Sequence, residues 1–265
     1  MDERPSASPR TSSPLGSAPS MQSPLTAPQQ PEAAQIKALF DRIAPQYDQM
    51  NQDMSLGLHQ VWKQMAVRWS GAKAGMNCLD VCCGSGDLAL LLARQVGADG
   101  HVTGADFAAQ QLAIAAQRSP HLQSRLSWVE ADALSLPFED SSFDAATMAY
   151  GLRNLTNISQ GLSELRRVLK PGAKAAILDF HTPTNPLVKQ FQQWYLNAVV
   201  VPTAERLGMS EEYAYIGPSV DRFPPGPEQV AFAKAAGFEN AIHYPIAGGM
   251  MGVLVASTQG QTAAT

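Results

Sequence analysis

Asp80-Val81-Cys82-Cys83-Gly84-Ser85-Gly86-Asp87-Leu88-Ala89 is the stretch that decides the fold. An apolar run over 76–83 precedes its glycines and an amphipathic run ending at 96 follows them, so it reads as the turn from a strand into a helix. Gly84, Gly86 and Ala89 satisfy G-x-G-x-x-G/A, and Asp106 lies 20 residues beyond Gly86 at the end of the next strand-like run. In that fingerprint the glycines admit close backbone approach and the acid holds ribose hydroxyls. The pattern alone leaves open a dinucleotide, S-adenosylmethionine, or a glycine turn that merely joins two elements.

Outward from this turn the pattern alternates. Strand-like runs at 76–83, 101–107, 125–132, 143–150 and 173–180 are interleaved with helical runs at 86–96, 108–119 and 158–169. Such alternation builds βαβ units and a parallel sheet. Two helices are expected upstream, at about 33–44 and 59–70. After Phe180 a long amphipathic stretch, 185–207, interrupts the pattern. Gly248-Gly249 then predicts a hairpin, hence an antiparallel edge. Lys170-Pro171-Gly172 reads as a structural turn ahead of the strand at 173. The expected architecture is α/β: a doubly wound, mostly parallel sheet with a C-terminal edge hairpin and an N-terminal helical lid.

Residues 1–32 differ in composition. Seven prolines, from Pro5 to Pro31, are spaced by Ser and Thr, a mixture that cannot bury enough apolar surface to order itself. The expected organisation is a disordered tail over 1–32, one folded domain over 33–258 and a short tail over 259–265. The 265 residues carry a formal charge of −4 and are 45% hydrophobic, enough for a sizeable core and without the basic stripe of a nucleic-acid binder. No apolar run approaches the roughly 18 residues of a membrane span. Cys78, Cys82 and Cys83 lie too close together to staple distant segments, which points to a reducing, cytoplasmic setting.

Charge narrows the ligand. Asp80, Asp87, Asp106 and Asp132 all fall at or just beyond carboxyl ends of predicted strands, where an open α/β sheet binds its ligand. Four carboxylates would repel a pyrophosphate. They suit a sulfonium and an ammonium, with Asp106 left to accept from a ribose, so the expected cofactor is S-adenosylmethionine. Asp132-Ala133 is where an adenine amino group would be read. No His/Cys/Asp cluster has metal-ligand spacing, so no metal is expected.

These residues also carry a family resemblance. "LDVCCGSGDLA", "GADF", "EADALSLPF", "SFDAATMAYGLRN" and "RRVLKPG" occur in the order seen in Rossmann-like class I S-adenosylmethionine-dependent methyltransferases. Tyr47-Asp48-Gln49-Met50-Asn51, followed by Ser55, His59 and Trp62, resembles the N-terminal signature of the carbon methyltransferases of ubiquinone, menaquinone and phylloquinone synthesis. Gly151-Leu152-Arg153-Asn154 is a second marker, and "YAYIGPSVDRFPPGPEQ" and "HYPIAGGMMGVLV" look most like the phylloquinone branch. The resemblance covers roughly 33–258. Ala149, Ala173, Asp179 and His181 depart from residues common in the family (Ser, Gly, Glu and Ser); Asp179 keeps the acid, whereas the hydrogen bonds made by a serine at 149 and at 181 do not carry over.

The resemblance implies transfer of a methyl group to a ring carbon of a reduced, phytylated naphthoquinone. A prenylated benzoquinol, a demethylmenaquinol or a soluble acceptor remain alternatives, as does a non-catalytic partner in a quinone-synthesis complex. It further implies cofactor contacts from Asp80, Gly84, Ser85, Gly86, Asp106, Phe107, Asp132 and Ala133, and catalytic roles for Tyr47, Arg153 and Asn154. Arg153 would stabilise a phenolate or, on a competing account, pair with a carboxylate; Asn154 would orient the ring oxygen. Tyr47 is either substrate-facing or a structural hydrogen-bonding residue. His59 reads as a helix histidine bonding to backbone or as a site residue, and His181 stands between the same two readings. Leu187, Val188, Phe191, Trp194, Tyr195, Ala198 and Val199 keep helical spacing on one face, which fits a core helix or a lid receiving an isoprenoid tail. Met250 and Met251 read as core or as the wall of such a pocket. A lipophilic substrate would bring the protein to the membrane surface, and a homodimer is left open.

Overall fold

A computed structural model describes Met1, positions 34, 36–38, 41–42, 55 and 57–122, and residues 125–206 and 216–260. The expected proline-rich tail lies outside these residues apart from Met1, as do Tyr47, Asn51 and the end of the chain from 261. Positions 34, 36–38 and 41–42 are helical. The elements that follow are α1 (Leu58–Trp69), β1 (Asn77–Val81), α2 (Asp87–Val96), β2 (His101–Asp106), α3 (Ala109–Arg118), β3 (Leu126–Glu130), β4 (Phe143–Ala149), α4 (Ile158–Val168) and β5 (Leu169–Phe180). Beyond β5 come α5 (Pro186–Tyr195), a π-helical turn (Leu196–Val200), α6 (Val201–Arg206), α7 (Ile216–Arg222), α8 (Gly226–Ala235), β6 (Asn240–Ile246) and β7 (Met251–Ser257). No helix among the described residues is long and apolar enough to cross a membrane.

The seven strands form one sheet in the order β3-β2-β1-β4-β5-β7-β6. β1 to β5 run parallel, whereas β7 is antiparallel to both β5 and β6. Parallel strands are covered on both faces and so read as near-continuous apolar runs. Leu79, Val81, Met148 and Ile177 pack with Leu162, Leu165 and Val168 of α4 on one side. Cys78, Val102 and Leu126 pack with Leu88, Leu92 and Val96 of α2 in a separate cluster. The order reverses at β1–β4, and the ends of these strands and of β2 carry Asp80, Asp106 and Tyr150.

β5 begins at Leu169, four residues before the expected strand. Leu169 pairs with Phe143 first, then the ladder breaks and resumes at Ala145–Lys174. Lys170-Pro171-Gly172 is therefore an irregularity inside the strand, made feasible by Gly172 at φ 79°. Thr258 Oγ fastens it by donating to the Lys170 carbonyl at 2.7 Å.

His181 is placed away from the carboxyl-edge site. Its Nδ1 meets the Gly249 carbonyl at 2.8 Å, and its ring lies 4.8 Å from that of His243 on β6. A Cβ at Gly226 would come within 2.5 Å of His243 Nδ1, so a glycine at the start of α8 leaves room for this ring. Burial, helped by His181, pushes the His243 imidazole down from 6.5 to about 4. Between those two values the unfolded chain binds the proton and the folded protein does not. The ring's contribution to stability is thus complete above pH 6.5 and is lost as pH falls towards about 4. The melting temperature of the wild type is expected to drop more steeply across that window than that of His243→Gln. Parallel melting curves for the two proteins would show that the ring is not held neutral by its packing.

Candidate active site

The loop between β1 and α2 turns sharply because Cys82, Gly84 and Gly86 all take positive φ, at 54°, 53° and 90°. At Gly86 a Cβ would also meet the Trp128 ring at 2.6 Å, so both conformation and space require glycine there. Asp106, at the end of β2, fixes the loop. One carboxylate oxygen accepts from Gly84 N at 2.8 Å and the other from Ala108 N at 2.9 Å. Burial raises its pKa and these backbone donors oppose that shift. Each oxygen retains a lone pair for a further donor.

Asp80 stands beside Thr147 in the parallel register of β1 and β4, and Thr147 Oγ1 donates to its Oδ1 at 2.7 Å. Its Oδ2 is buried with no hydrogen-bond partner. Burial of this 1%-exposed residue pushes the carboxyl up to about 7, although Thr147 and Lys63 pull the other way. A buried carboxylate oxygen left over at a strand end is where a cationic ligand would be satisfied.

Asp87 changes the charge count. Lys63 Nζ reaches one of its oxygens at 2.6 Å and Arg118 the other, also at 2.6 Å. Burial pushes its carboxyl up, but the two cations outweigh burial and hold it below the ordinary value. It lines the same cavity as Asp80, Asp106 and Asp132, but its charge is matched inside the protein by the two cations. Asp80, Gly84, Ser85, Asp106, Phe107, Asp132, Ala133 and Asn154 line one cavity together, whereas Gly86 shapes the loop without lining it. Ser85 Oγ takes a hydrogen bond from Arg118 at 3.0 Å, and Asp132 Oδ1 caps Leu134 N at 2.8 Å. Lys63, four residues after His59 on α1, also lines this cavity and went unread in the sequence.

A second, apolar cavity of about 370 Å³ adjoins the first. Its walls come from α1 (His59, Trp62), α5 and the π-turn (Phe191, Tyr195, Leu196), and the last hairpin (Met250, Met251). Tyr150 lines both cavities. It is a buried aromatic residue at φ 59°, a conformation that costs about 1–3 kcal/mol and collects at functional sites. Its carbonyl accepts from Arg153 Nη1 at 2.6 Å and from Asn154 Nδ2 at 2.9 Å.

The same turn revises Arg153. Its guanidinium pairs with Asp179 at 2.8 Å, the two side chains being 5% and 3% exposed, and lies 5.0 Å from the Phe180 ring centre. It lines neither cavity. The competing account, pairing with a carboxylate, is the one this geometry matches. Asn154 does line the first cavity, where its Oδ1 is buried without a partner. The His59 ring meets the side chains of Ser55 and Gln60. The amphipathic stretch is not a core helix either. Leu187, Phe191 and Trp194 are 74%, 50% and 57% exposed, and Gln192 is the buried residue of α5.

Comparison with known proteins agrees with the geometry. The profile of the ubiE/COQ5 methyltransferase family matches residues 29–258. The 2-phytyl-1,4-naphtoquinone methyltransferase of Trichormus variabilis is 63% identical over 225 residues, covering 84% of this chain and 98% of that protein. The chloroplastic 2-phytyl-1,4-beta-naphthoquinone methyltransferase of Arabidopsis thaliana is 48% identical, covering 83% and 86%. Among solved structures, a SAM-dependent methyltransferase from Thermotoga maritima superposes with a TM-score of 0.58 at 15% identity, covering 84% of this chain and 99% of that one. The [4+2]-cyclase SpnF gives 0.55 at 22% identity, covering 87% and 98%. At such identities the structures establish the class I methyltransferase fold and nothing about the reaction.

Asp80→Asn tests the buried carboxylate. Because the folded value of about 7 lies above the ordinary 3.8, folding gains from the proton at low pH and loses that gain as pH rises through 7. The asparagine variant is expected to be the more stable protein at pH 8, by roughly 2–4 kcal/mol, with the advantage shrinking towards pH 5. Its thermal stabilisation by S-adenosylmethionine should be much reduced. Equal stability at pH 8 and undiminished ligand stabilisation would remove Asp80 from the site.

Proposed function

Because the chain belongs to the ubiE/COQ5 methyltransferase family, we propose that it methylates a ring carbon of a reduced naphthoquinone bearing a phytyl-type chain. S-adenosylmethionine, the methyl donor of this family, supplies an electrophilic carbon on a sulfonium. The observation that carries the reading is a shared residue: Tyr150 lines both a cavity with an orphaned carboxylate oxygen and an apolar cavity. A polar donor and a lipophilic acceptor would thereby meet beside one side chain. The curated relatives named for a naphthoquinone substrate support the choice of ring.

Within this reading Asp80 Oδ2 receives the ammonium group, Asp106 the ribose hydroxyls, and Asp132 and Ala133 the adenine edge. Gly84 and Ser85 let the backbone approach, and Phe107 closes the pocket beside the ribose. Asn154 Oδ1 offers an acceptor inside the first cavity. Arg153 acts as a positioning residue, holding the Tyr150 carbonyl and hence the residue common to both cavities. Tyr47 keeps its proposed substrate-facing role by family likeness.

The acceptor must be reduced. A quinone carbon is electron-poor, whereas a quinol pushes density from oxygen onto the neighbouring carbon, and holding that carbon in line with the methyl group supplies most of the rate. Labelled cofactor with reduced and oxidised naphthoquinols and benzoquinols, followed by product mass spectrometry, tests the assignment. Methylation of the phytylated naphthoquinol alone, dependent on a reductant, is expected. Equal turnover of the oxidised ring, or preference for a tailless soluble acceptor, would defeat it.

The reading extends to the bilayer. Leu58, Val61, Leu187, Phe191 and Trp194 are exposed, and Leu58 and Phe191 also line the apolar cavity. This surface is continuous with the pocket that would take the tail, so the tail can pass from lipid to protein without crossing water. Neutral phosphatidylcholine vesicles are expected to bind the wild type. Replacing Leu187, Phe191 and Trp194 together by serine should weaken sedimentation with them at least about tenfold. No difference between the two proteins would rule this face out.

A further inference from the structure

Helix α1 contributes to both cavities. Leu58, His59 and Trp62 line the apolar one, whereas Lys63, the residue after Trp62, lines the cofactor cavity. Lys63 is buried, and its ammonium lies 2.6 Å from Asp87 Oδ2 and 5.9 Å from the centre of the Tyr150 ring. A cation taken out of water needs partners of this kind, a carboxylate and the face of an aromatic ring. One of them is the first residue of α2, directly after the glycine loop, and the other is the side chain common to both cavities. The acceptor helix, the cofactor helix and the turn after β4 therefore meet at one nitrogen.

The two ends of this bridge are held unequally. The second half of α1 docks without Lys63, because Ala66 packs with Tyr150, Leu178 and Met251 while Val67 packs with Leu88 and Leu92 of α2. The first half supplies the cavity wall, yet Leu58 and Val61 on it are exposed. Lys63 stands where the docked half gives way to that wall. On the far side, Arg118 takes the other oxygen of Asp87 at 2.6 Å and reaches the Ser85 carbonyl and hydroxyl at 3.0 Å each. The glycine loop thus has a tether of its own, independent of α1.

We propose that Lys63 is a positioning residue for the methyl transfer: through Asp87 it sets the wall of the acceptor cavity against the cofactor loop, so that the acceptor carbon meets the methyl group in line. The proposal rests on the reading of this site as a quinol methyltransferase. In-line transfer tolerates little error, and a misplacement of about 1 Å costs about 10²-fold in rate. Without the bridge, α1 still packs through Ala66 and Val67 and the loop is still held by Arg118. Both cavities then persist, and what loosens is the placement of one relative to the other.

Lys63→Met, which keeps the stem and removes the charge, tests the proposal alongside Lys63→Arg, Asp87→Asn and the double variant Lys63→Met/Asp87→Asn. With reduced phytylated naphthoquinol and saturating S-adenosylmethionine, Lys63→Met should lose about 10-fold to 10²-fold in kcat. Its calorimetric affinity for S-adenosylmethionine should stay within about threefold of the wild type. Amide hydrogen exchange should quicken in the first half of α1 and stay unchanged in the second. Lys63→Arg should recover part of the rate, because a guanidinium can still pair with Asp87. In the Asp87→Asn background the same Lys63→Met change should cost no more than about threefold, since the partner is already gone. Wild-type kcat in Lys63→Met, an equal cost in both backgrounds, or a loss confined to donor affinity would overturn the assignment while leaving the methyltransferase reading intact. A wild type inactive on the reduced naphthoquinol would instead overturn the reading beneath it, and the role of Lys63 with it.

Discussion

The buried pair between Arg153 and Asp179 is the interaction on which the site depends. It joins the turn after β4 to the end of β5. Asp179 takes Arg153 Nη1 at 2.8 Å and Phe180 N at 2.8 Å on one oxygen, and Arg153 N at 3.1 Å on the other. Burying two ions costs several kcal/mol apiece, and such a pair holds only when hydrogen bonds fill the remaining valences. Here a further bond from Arg153 Nη1 reaches the Tyr150 carbonyl, tying the pair to the residue that holds a positive φ. That network holds the aromatic residue that lines both cavities of unlike polarity.

A second balance lies in the carboxylates of the glycine loop. Asp87 is fully matched by Lys63 and Arg118, and Asp106 is tied to two backbone amides. Asp80 is matched on one oxygen only. Among these loop carboxylates, the buried oxygen left without a hydrogen bond is therefore Asp80 Oδ2. A cation reaching that atom would supply the partner that burial denies it, which is how a binding site comes to be less stable than a fully satisfied core.

The order of strands and helices was legible because parallel strands read as apolar runs and Gly84 and Gly86 punctuate the first turn. The line of cofactor-cavity residues was legible for the same reason, since strand ends are local features. Partners distant in the chain were not. Lys63 is 24 residues before Asp87 and Arg118 is 31 after it, so the neutralised acid read as a free charge. Arg153 read as a substrate group because Asp179, 26 positions on, carried no signal of its own. Periodicity marked an apolar face on Leu187, Phe191 and Trp194, but periodicity does not tell what covers a face, and among the described residues these three stay exposed. Tyr150 passed unread because a left-handed tyrosine looks like any other aromatic in a strand.

The sheet topology gives the two cavities different histories during synthesis. All residues that line the first cavity lie between Ile36 and Thr156, whereas the second needs Ala247, Met250 and Met251. On a ribosome, every residue that lines the donor half therefore emerges before the last hairpin of the acceptor half. Until β7 emerges to pair with both β5 and β6, the outer edge of β5 offers an unpaired ladder from Lys174 to Phe180. An apolar edge of that length invites pairing with another nascent chain. The last hairpin thus serves the growing polypeptide as a stopper on its own most adhesive strand before it serves any ligand.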